Sequence, residues 1–126
     1  MKVKPLRPTL RERKRYLVYE VISKNDTIEP MQISNAISGS VKTYVGELGL
    51  ANCGLIFLND KFNSDMQRGI VRVNHEMTDT LKASLTFINK IDNKNVILRS
   101  IGTSGIMKKA IDKYLKHNSQ NKIILN

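Results

Sequence analysis

The side chains that could do chemistry in this chain fall into one short cluster and one glycine-rich segment. The cluster is His75-Glu76-x-x-Asp79, whose imidazole and carboxylates are metal-ligand types. It lacks the paired histidines or cysteines of a specific zinc site, and the other histidine of the chain is His117. No serine or cysteine can be matched with a nearby base, and no Gly-x-x-x-x-Gly-Lys phosphate loop is present. We therefore expect no catalytic residues, no metal site and no bound cofactor in the protein itself.

The glycine-rich segment is Gly102-Thr103-Ser104-Gly105, which precedes a predicted helix. Backbone amides at a helix N-terminus attract phosphate, and Lys108 and Lys109 lie one turn into the helix, on the side such a ligand would approach. A tight turn with Ser104 as an ordinary N-cap explains the same residues. Both interpretations stay open; in the first, Ser104, Lys108 and Lys109 contact RNA phosphates.

Basic charge is concentrated at the two ends of the chain. Residues 1–15 carry seven Lys or Arg against one acid, residues 99–126 carry six against one, and the 83 residues between them carry eight against nine. The net charges of +6, −1 and +5 indicate a polyanion-binding surface, and nucleic acid is the expected partner. The further candidate contacts are the N-terminal cations and one arginine of a predicted strand: Arg7, Arg11, Arg13, Lys14, Arg15 and Arg72.

The elements that must position these residues form one domain over residues 15–118. Residues 1–14 contain two prolines and no apolar periodicity, which predicts an extended basic arm, and residues 119–126 form a tail. Apolar and β-branched runs predict strands over 15–22, 54–59, 69–75 and 95–101. Helical spacing predicts one helix that starts at Pro30 and ends at Gly46 and Gly49, and two more over 76–90 and 106–115.

This order is β-α-β-β-α-β with an additional C-terminal helix, which predicts a ferredoxin-like, RNA-recognition-motif-like antiparallel sheet of the α+β class. The strands are apolar at both parities: Val96 and Leu98 alternate with Ile97. A sheet with this pattern is buried on both faces. We expect protein rather than RNA to cover the second face, and that protein is either the third helix or a partner.

Base stacking on the sheet is not expected. RNA-recognition modules of this topology display aromatic residues on their first and third strands. The predicted third strand has none over residues 68–75, and Tyr16 and Tyr19 on the first strand have opposite parity. RNA contact should come from cations that reach phosphates.

Composition excludes several other classes. An apolar fraction of 40% argues for a folded domain. The chain shows no signal-peptide pattern and no apolar stretch of spanning length, so no membrane association is expected. A single cysteine, Cys53, predicts a reduced, cytoplasmic setting.

Three segments in the same order and spacing resemble archaeal ribonuclease P protein component 2, and the match runs from about residue 4 to residue 118. Ile106 departs from the family pattern, which usually has threonine there. The segments are Leu6-Arg7-Pro8-Thr9-Leu10-Arg11-Glu12-Arg13-Lys14-Arg15-Tyr16, then Gly69-Ile70-Val71-Arg72-Val73 with Leu81-Lys82-Ala83-Ser84-Leu85, and Ser100-Ile101-Gly102-Thr103-Ser104-Gly105-Ile106-Met107-Lys108-Lys109-Ala110.

The resemblance implies a subunit of a ribonucleoprotein endoribonuclease whose RNA, with Mg²⁺ on the RNA, removes 5′ leaders from precursor tRNA. It implies as partners the ribonuclease P RNA, precursor tRNA, the TIM-barrel-like protein component 3, other ribonuclease P proteins and a second copy of the subunit. The alternatives are a free-standing RNA-binding protein of ferredoxin-like fold and a small-ligand regulatory domain.

Overall fold

The computed structural model describes residues 13–24 and 27–116 of the 126-residue chain. A single antiparallel sheet has the strand order β2-β3-β1-β5-β4. The α+β class is therefore confirmed, and the arrangement is consistent with a ferredoxin-like fold. The elements are β1 (Lys14–Ser23), α1 (Pro30–Cys53), β2 (Ile56–Phe57), β3 (Arg68–Asn74), α2 (Thr78–Thr86), β4 (Lys90–Ile91), β5 (Lys94–Ser104) and α3 (Met107–Ala110), with a π-helical segment (Ile111–Leu115) that continues α3.

The predicted arm and tail lie largely outside the described residues. Arg13 and Lys14 are the described part of the arm, and residues 119–126 are not described. The domain boundaries at residues 15 and 118 therefore stay predictions. Among the described residues, no helix combines the length and the apolar character needed to cross a membrane.

The main core lies between the helices α1 and α2 and the first face of the sheet. Leu17, Tyr19 and Val21 alternate along β1 and point into this core. Tyr19 lies directly over Gly69, its partner residue on β3. From the helices, the core receives six fully or almost fully buried apolar side chains: Ile33, Ile37, Val41, Cys53, Leu81 and Leu85.

The C-terminal helical segment covers the central part of the second face. Val18 of β1 and Ile70 of β3 pack there against Ala110 and Leu115. The sequence left open whether the third helix or a partner protein covers the second face. For the central part of that face, the cover is the third helix. It does not reach Ile97, which stays 62% exposed.

The first helix is longer than predicted because the glycine expected to end it allows a kink. Gly46 has φ 78° and ψ 178°, a conformation that residues with a Cβ rarely adopt, and the helix resumes beyond it to Cys53. Gly54, with φ 57°, then ends the helix, and its N–H donates to the Ala51 carbonyl at 3.1 Å.

Three other predicted boundaries need correction. The second strand shortens from residues 54–59 to Ile56–Phe57, and the second helix from residues 76–90 to Thr78–Thr86.

The strand β4 was not predicted from the sequence. It forms a tight hairpin with β5 through Asp92 and Asn93, which have φ angles of 51° and 63°. β5 extends through Ser104, so Gly102-Thr103-Ser104 is strand and not a helix-opening turn.

Candidate nucleic-acid interface

The sheet register brings part of both basic ends of the sequence to one end of the sheet. Tyr16 on β1 lies opposite Arg72 on β3 and opposite Ser104 on β5. The first described residues of the arm are thus next to the segment that leads into α3. We call this surface the basic end; its described members are Arg13, Lys14, Arg15, Arg72, Ser104, Lys108 and Lys109. The other predicted contacts, Arg7 and Arg11, lie outside the described residues.

Two residues at the end of β3 hold the root of the arm in place: His75, which the sequence suggested only as a metal-ligand type, and Asn74, which it did not single out. The His75 N–H donates to the Arg13 carbonyl at 2.7 Å. The Lys14 ammonium donates to the Asn74 side-chain oxygen, and the Asn74 amide donates to the Asn52 carbonyl at 2.6 Å. These bonds fix the backbone from which the arm leaves the sheet. In the sequence, both residues lie at the end of the predicted third strand, and nothing there indicates a contact with the arm.

Arg15 borders a surface depression of about 320 Å³, which also contains the histidine cluster selected from the sequence. The Arg15 guanidinium donates to the Lys14 carbonyl at 3.2 Å. No hydrogen bond or ion pair joins the described side chains of His75, Glu76 and Asp79 to one another. No group of three His, Cys, Asp or Glu within residues 13–24 and 27–116 could hold a metal ion.

Arg72 is half-buried on the second face, between Tyr16 and Ile56 in the sheet register. Its Nε is a buried donor without a hydrogen-bond partner in the described part of the chain. A buried donor without an acceptor loses its hydration and gains nothing in return. An anionic oxygen is the acceptor that would satisfy it.

Ser104 and the following helix differ from both interpretations of the glycine-rich segment. The residue before α3 is Ile106, and no side chain caps this helix. The Ser104 hydroxyl accepts a hydrogen bond from the Ile106 N–H at 3.1 Å and donates to its carbonyl at 3.0 Å, so it forms a local turn. Since α3 has four residues, it offers no N-terminal anion site. Lys108 and Lys109 are exposed on it and remain candidate phosphate contacts through their charge.

The charges near Lys108 are partly balanced within the C-terminal helical segment. Asp112 accepts a hydrogen bond from Lys116, with an N–O distance of 2.9 Å. This bond, with the charges of Lys116 and Lys108, holds the pKa of Asp112 below its usual value. Neither Lys109 nor Lys113 forms an ion pair with another described residue, and the Lys113 ammonium lies 5.4 Å from the centre of the Tyr114 ring.

A charge network that the sequence analysis missed crosses the second face. Glu20 on β1 accepts from Arg68 Nε at 2.9 Å and from Arg99 Nη2 at 2.7 Å, through its two different oxygens. Burial alone would raise the pKa of Glu20, but the two arginines outweigh it and lower the pKa. Arg68 also donates to the Tyr114 carbonyl at 2.9 Å, which ties the C-terminal helical segment to the sheet.

An α+β fold whose cations lie together at one end of the sheet has the surface character of proteins that bind anionic polymers. The chain belongs to the Rpp14/Pop5 family, whose family model matches residues 15–115.

Relatives in several archaea are similar over most of the chain. Ribonuclease P protein component 2 of Pyrococcus abyssi is 33% identical over 115 residues, which are 91% of this chain and 95% of the relative. The component 2 proteins of Thermococcus kodakarensis and Methanococcus aeolicus are 34% and 30% identical, over 90% and 97% of this chain and 92% and 88% of theirs.

A solved structure shows the same fold. A chain in the structure of yeast ribonuclease MRP matches with a TM-score of 0.61 and 18% identity. The match covers 94% of this chain and 99% of the yeast chain.

Proposed function

We propose that this chain is a protein subunit of ribonuclease P, the ribonucleoprotein that removes 5′ leaders from precursor tRNA. The observation that carries the proposal is the basic end, where the fold brings together cations from three separate parts of the sequence: the start of β1, the middle of β3, and α3 just after β5. Membership of the Rpp14/Pop5 family, together with the names of the similar archaeal proteins, supports ribonuclease P RNA as the polyanion.

The subunit's contribution is electrostatic and structural. Hydrolysis of a phosphodiester requires stabilisation of the attacking and leaving oxygens, which bound metal usually provides. In this proposal Mg²⁺ on the RNA supplies that chemistry. The cations of the basic end neutralise RNA phosphates, which lowers the repulsion between RNA segments and therefore the magnesium that the RNA needs.

The protein partner we propose is the TIM-barrel-like ribonuclease P protein component 3, within a particle that also holds other ribonuclease P proteins and acts on precursor tRNA. An apolar surface on the helix side supports a protein contact. Tyr44, Leu48 and Phe87 are 50%, 83% and 61% exposed, and the Tyr44 and Phe87 rings are 5.2 Å apart. Tyr44 and Phe87 border a groove of about 580 Å³ between α1 and residues 87–90. Exposed aromatic and aliphatic residues of this kind are enriched in protein interfaces.

We place the particle in the cytoplasm, where a lone thiol stays reduced. Cys53 is buried, and burial raises the pKa of its thiol, so it is present as an unreactive thiol within the core.

The experiment that tests this function is reconstitution at low magnesium. Precursor-tRNA cleavage is measured with the protein alone, the ribonuclease P RNA alone, and the RNA with this subunit and component 3. We expect no cleavage by the protein alone and clear stimulation of the RNA by the two proteins. An absence of stimulation, or cleavage by the purified protein without RNA, would contradict the proposal.

Variants in the same assay separate electrostatics from chemistry. His75→Ala, Glu76→Ala and His117→Ala should each leave the rate within about threefold, which is roughly 0.7 kcal/mol in activation free energy. Lys108→Ala combined with Lys109→Ala should raise the magnesium concentration needed for half-maximal rate.

A further inference from the structure

The second face of the sheet has an apolar end that the C-terminal helical segment leaves open. Ile22 on β1 and Ile97 on β5 are paired directly across the two strands. They are 43% and 62% exposed. Because Tyr16 and Ile22 are six residues apart on the same strand, about 20 Å of extended chain separates this area from the basic end. We call it the open sheet end.

Exposed cations surround these two isoleucines. Lys90 lies opposite Asn95, which by strand alternation faces the same side as Ile97. Arg99 lies two residues beyond Ile97, with its side chain 59% exposed. Lys24 follows the end of β1 and is also exposed.

The described carboxylates nearby do not balance these charges. Glu20 already accepts hydrogen bonds from two arginines through both oxygens, so the three groups together keep a positive charge. Asp92, in the hairpin turn, is engaged on the helix side, where it accepts a hydrogen bond from the Gln32 side chain at 3.1 Å. The middle section, with its net charge of −1, therefore contributes Lys24 and Lys90 to a basic surface that folding completes with Arg99.

We infer that the open sheet end binds a single-stranded segment of RNA, with a base lying against Ile22 and Ile97 and phosphates paired with Lys24, Lys90 and Arg99. This inference rests on the proposed function and adds a second RNA contact to it. Glu20 holds the Arg99 guanidinium in place, so less side-chain freedom is lost when RNA binds. Proteins stack unpaired bases on aromatic rings or on arginine guanidinium planes, with further cations following the backbone. Here Arg99 supplies the guanidinium plane, and Ile22 and Ile97 supply apolar surface beside it.

The composition of the surface favours RNA over a protein partner. A stable protein interface buries roughly 800 Å² per partner around an apolar or aromatic centre. Two isoleucines ringed by cations provide little of that centre, whereas strong positive charge is characteristic of nucleic-acid interfaces. The groove bordered by Tyr44 and Phe87 on the helix side, by contrast, exposes aromatic rings, as protein interfaces do. The sequence predicted that protein covers Ile97. We propose instead that RNA contacts Ile97 at this end of the sheet.

The test uses the full chain, a 12-nucleotide single-stranded RNA and a duplex of the same sequence. NMR titration should shift the amide signals of Ile22, Ile97 and Arg99 with the single strand and affect them less with the duplex. Lys90→Glu combined with Ile97→Glu should weaken single-strand binding about tenfold. The matched control, Lys42→Glu combined with Met31→Glu, makes the same change of charge at exposed helix positions and should weaken binding less than about twofold.

Two results would overturn the inference. One is equal affinity for the open-end variant and its control, with NMR shifts confined to the basic end. The other is unchanged RNA affinity of the open-end variant together with loss of its complex with purified component 3, which would assign this surface to protein. Neither result affects stimulation of the ribonuclease P RNA by the wild-type subunit, so failure here is distinct from failure of the proposed function.

Discussion

Gly69 is a residue whose missing side chain makes room for a core aromatic ring. A Cβ built at Gly69 would lie 2.3 Å from the Tyr19 hydroxyl oxygen and 2.9 Å from the Phe62 ring. Tyr19 is 1% exposed, so its ring cannot move aside without opening the core. Tyr19 and Phe62 pack together, with ring centres 6.5 Å apart. The glycine therefore determines how β1 and β3 pack beneath the helices.

Gly69→Ala should lower the free energy of unfolding by about 1–3 kcal/mol, because the added methyl overpacks a filled site. Chemical denaturation followed by circular dichroism measures the change. Gly39→Ala is the matched control, since nothing lies within 4 Å of a Cβ at this helical position. It should leave stability unchanged or raise it by about 0.5–1 kcal/mol. Equal effects of the two variants would refute the packing argument.

Glu20 makes stability depend on pH. Its folded-state pKa is lower than its ordinary value of 4.5, so the folded state binds fewer protons than the unfolded state in that range. The stabilisation is thus complete above pH 4.5 and is lost as pH falls through the lowered folded-state pKa. Glu20→Gln should cost about 1–3 kcal/mol at pH 7 and much less at pH 3.

Urea denaturation of both proteins at the two pH values measures this difference. Glu47→Gln is the control, because Glu47 is 82% exposed and pairs only with the exposed Lys42 at 3.2 Å. A surface pair of this kind contributes less than about 1 kcal/mol. A Glu20→Gln cost that stays constant from pH 7 to pH 3 would show that the carboxylate charge is not the source of the stabilisation.

At the scale of the elements, the kink in α1 leaves Leu48 exposed, although the helix beyond the kink packs against the core again at Leu50 and Cys53. Val41 is buried and Val45 is partly buried, whereas Leu48, just beyond Gly46, is 83% exposed. At this exposure Leu48 adds little to the core of the chain. Its position suits contact with another protein.

Leu48→Glu should therefore leave the melting temperature within about 2 °C, since little buried area is lost. In size-exclusion chromatography with light scattering, the same variant should weaken the complex with component 3 by at least about tenfold. The comparison is Met31→Glu, which changes an exposed residue near the start of the same helix. Normal complex formation by Leu48→Glu would remove the helix-side surface from the interface.

The sequence predicted elements whose patterns are local. β1 and the start of α1 at Pro30 follow from β-branched residues and from proline at the first helical turn, and both are confirmed. β4 could not be predicted, because two residues carry no alternation; only the left-handed Asp92-Asn93 turn defines the hairpin. Gly102 was misassigned because its role is tertiary: a Cβ there would lie 2.1 Å from the Tyr114 ring.

In the candidate site, too, features with a local sequence pattern could be predicted, and features that depend on tertiary contacts could not. Charge counting identified Arg13, Lys14 and Arg15, and the glycine-rich pattern before a predicted helix drew attention to the segment around Ser104. That these groups meet depends on the register of β1 against β5, which no local pattern contains. The network around Glu20 joins residues 48 and 79 positions away, and the sequence gives no sign of it.

At the scale of the whole molecule, folding converts two basic stretches of sequence into a basic surface at one end of the sheet. Each cation that neutralises a phosphate releases a counterion, so the affinity for RNA falls with salt by roughly 0.7–0.9 log units per tenfold salt increase for each contact. Arg13 and Lys109 are exposed, and their replacement removes charge with little loss of packing.

Arg13→Ala combined with Lys109→Ala should make the log–log salt slope for ribonuclease P RNA shallower by roughly 1.4–1.8. The melting temperature should stay nearly unchanged. Lys42→Ala combined with Lys82→Ala removes the same charge from exposed positions on α1 and α2 and should leave the slope unaltered. Filter binding over a series of salt concentrations provides both slopes. If the two double variants flatten the slope equally, RNA responds to the total charge of +10 and not to the surface that the fold creates.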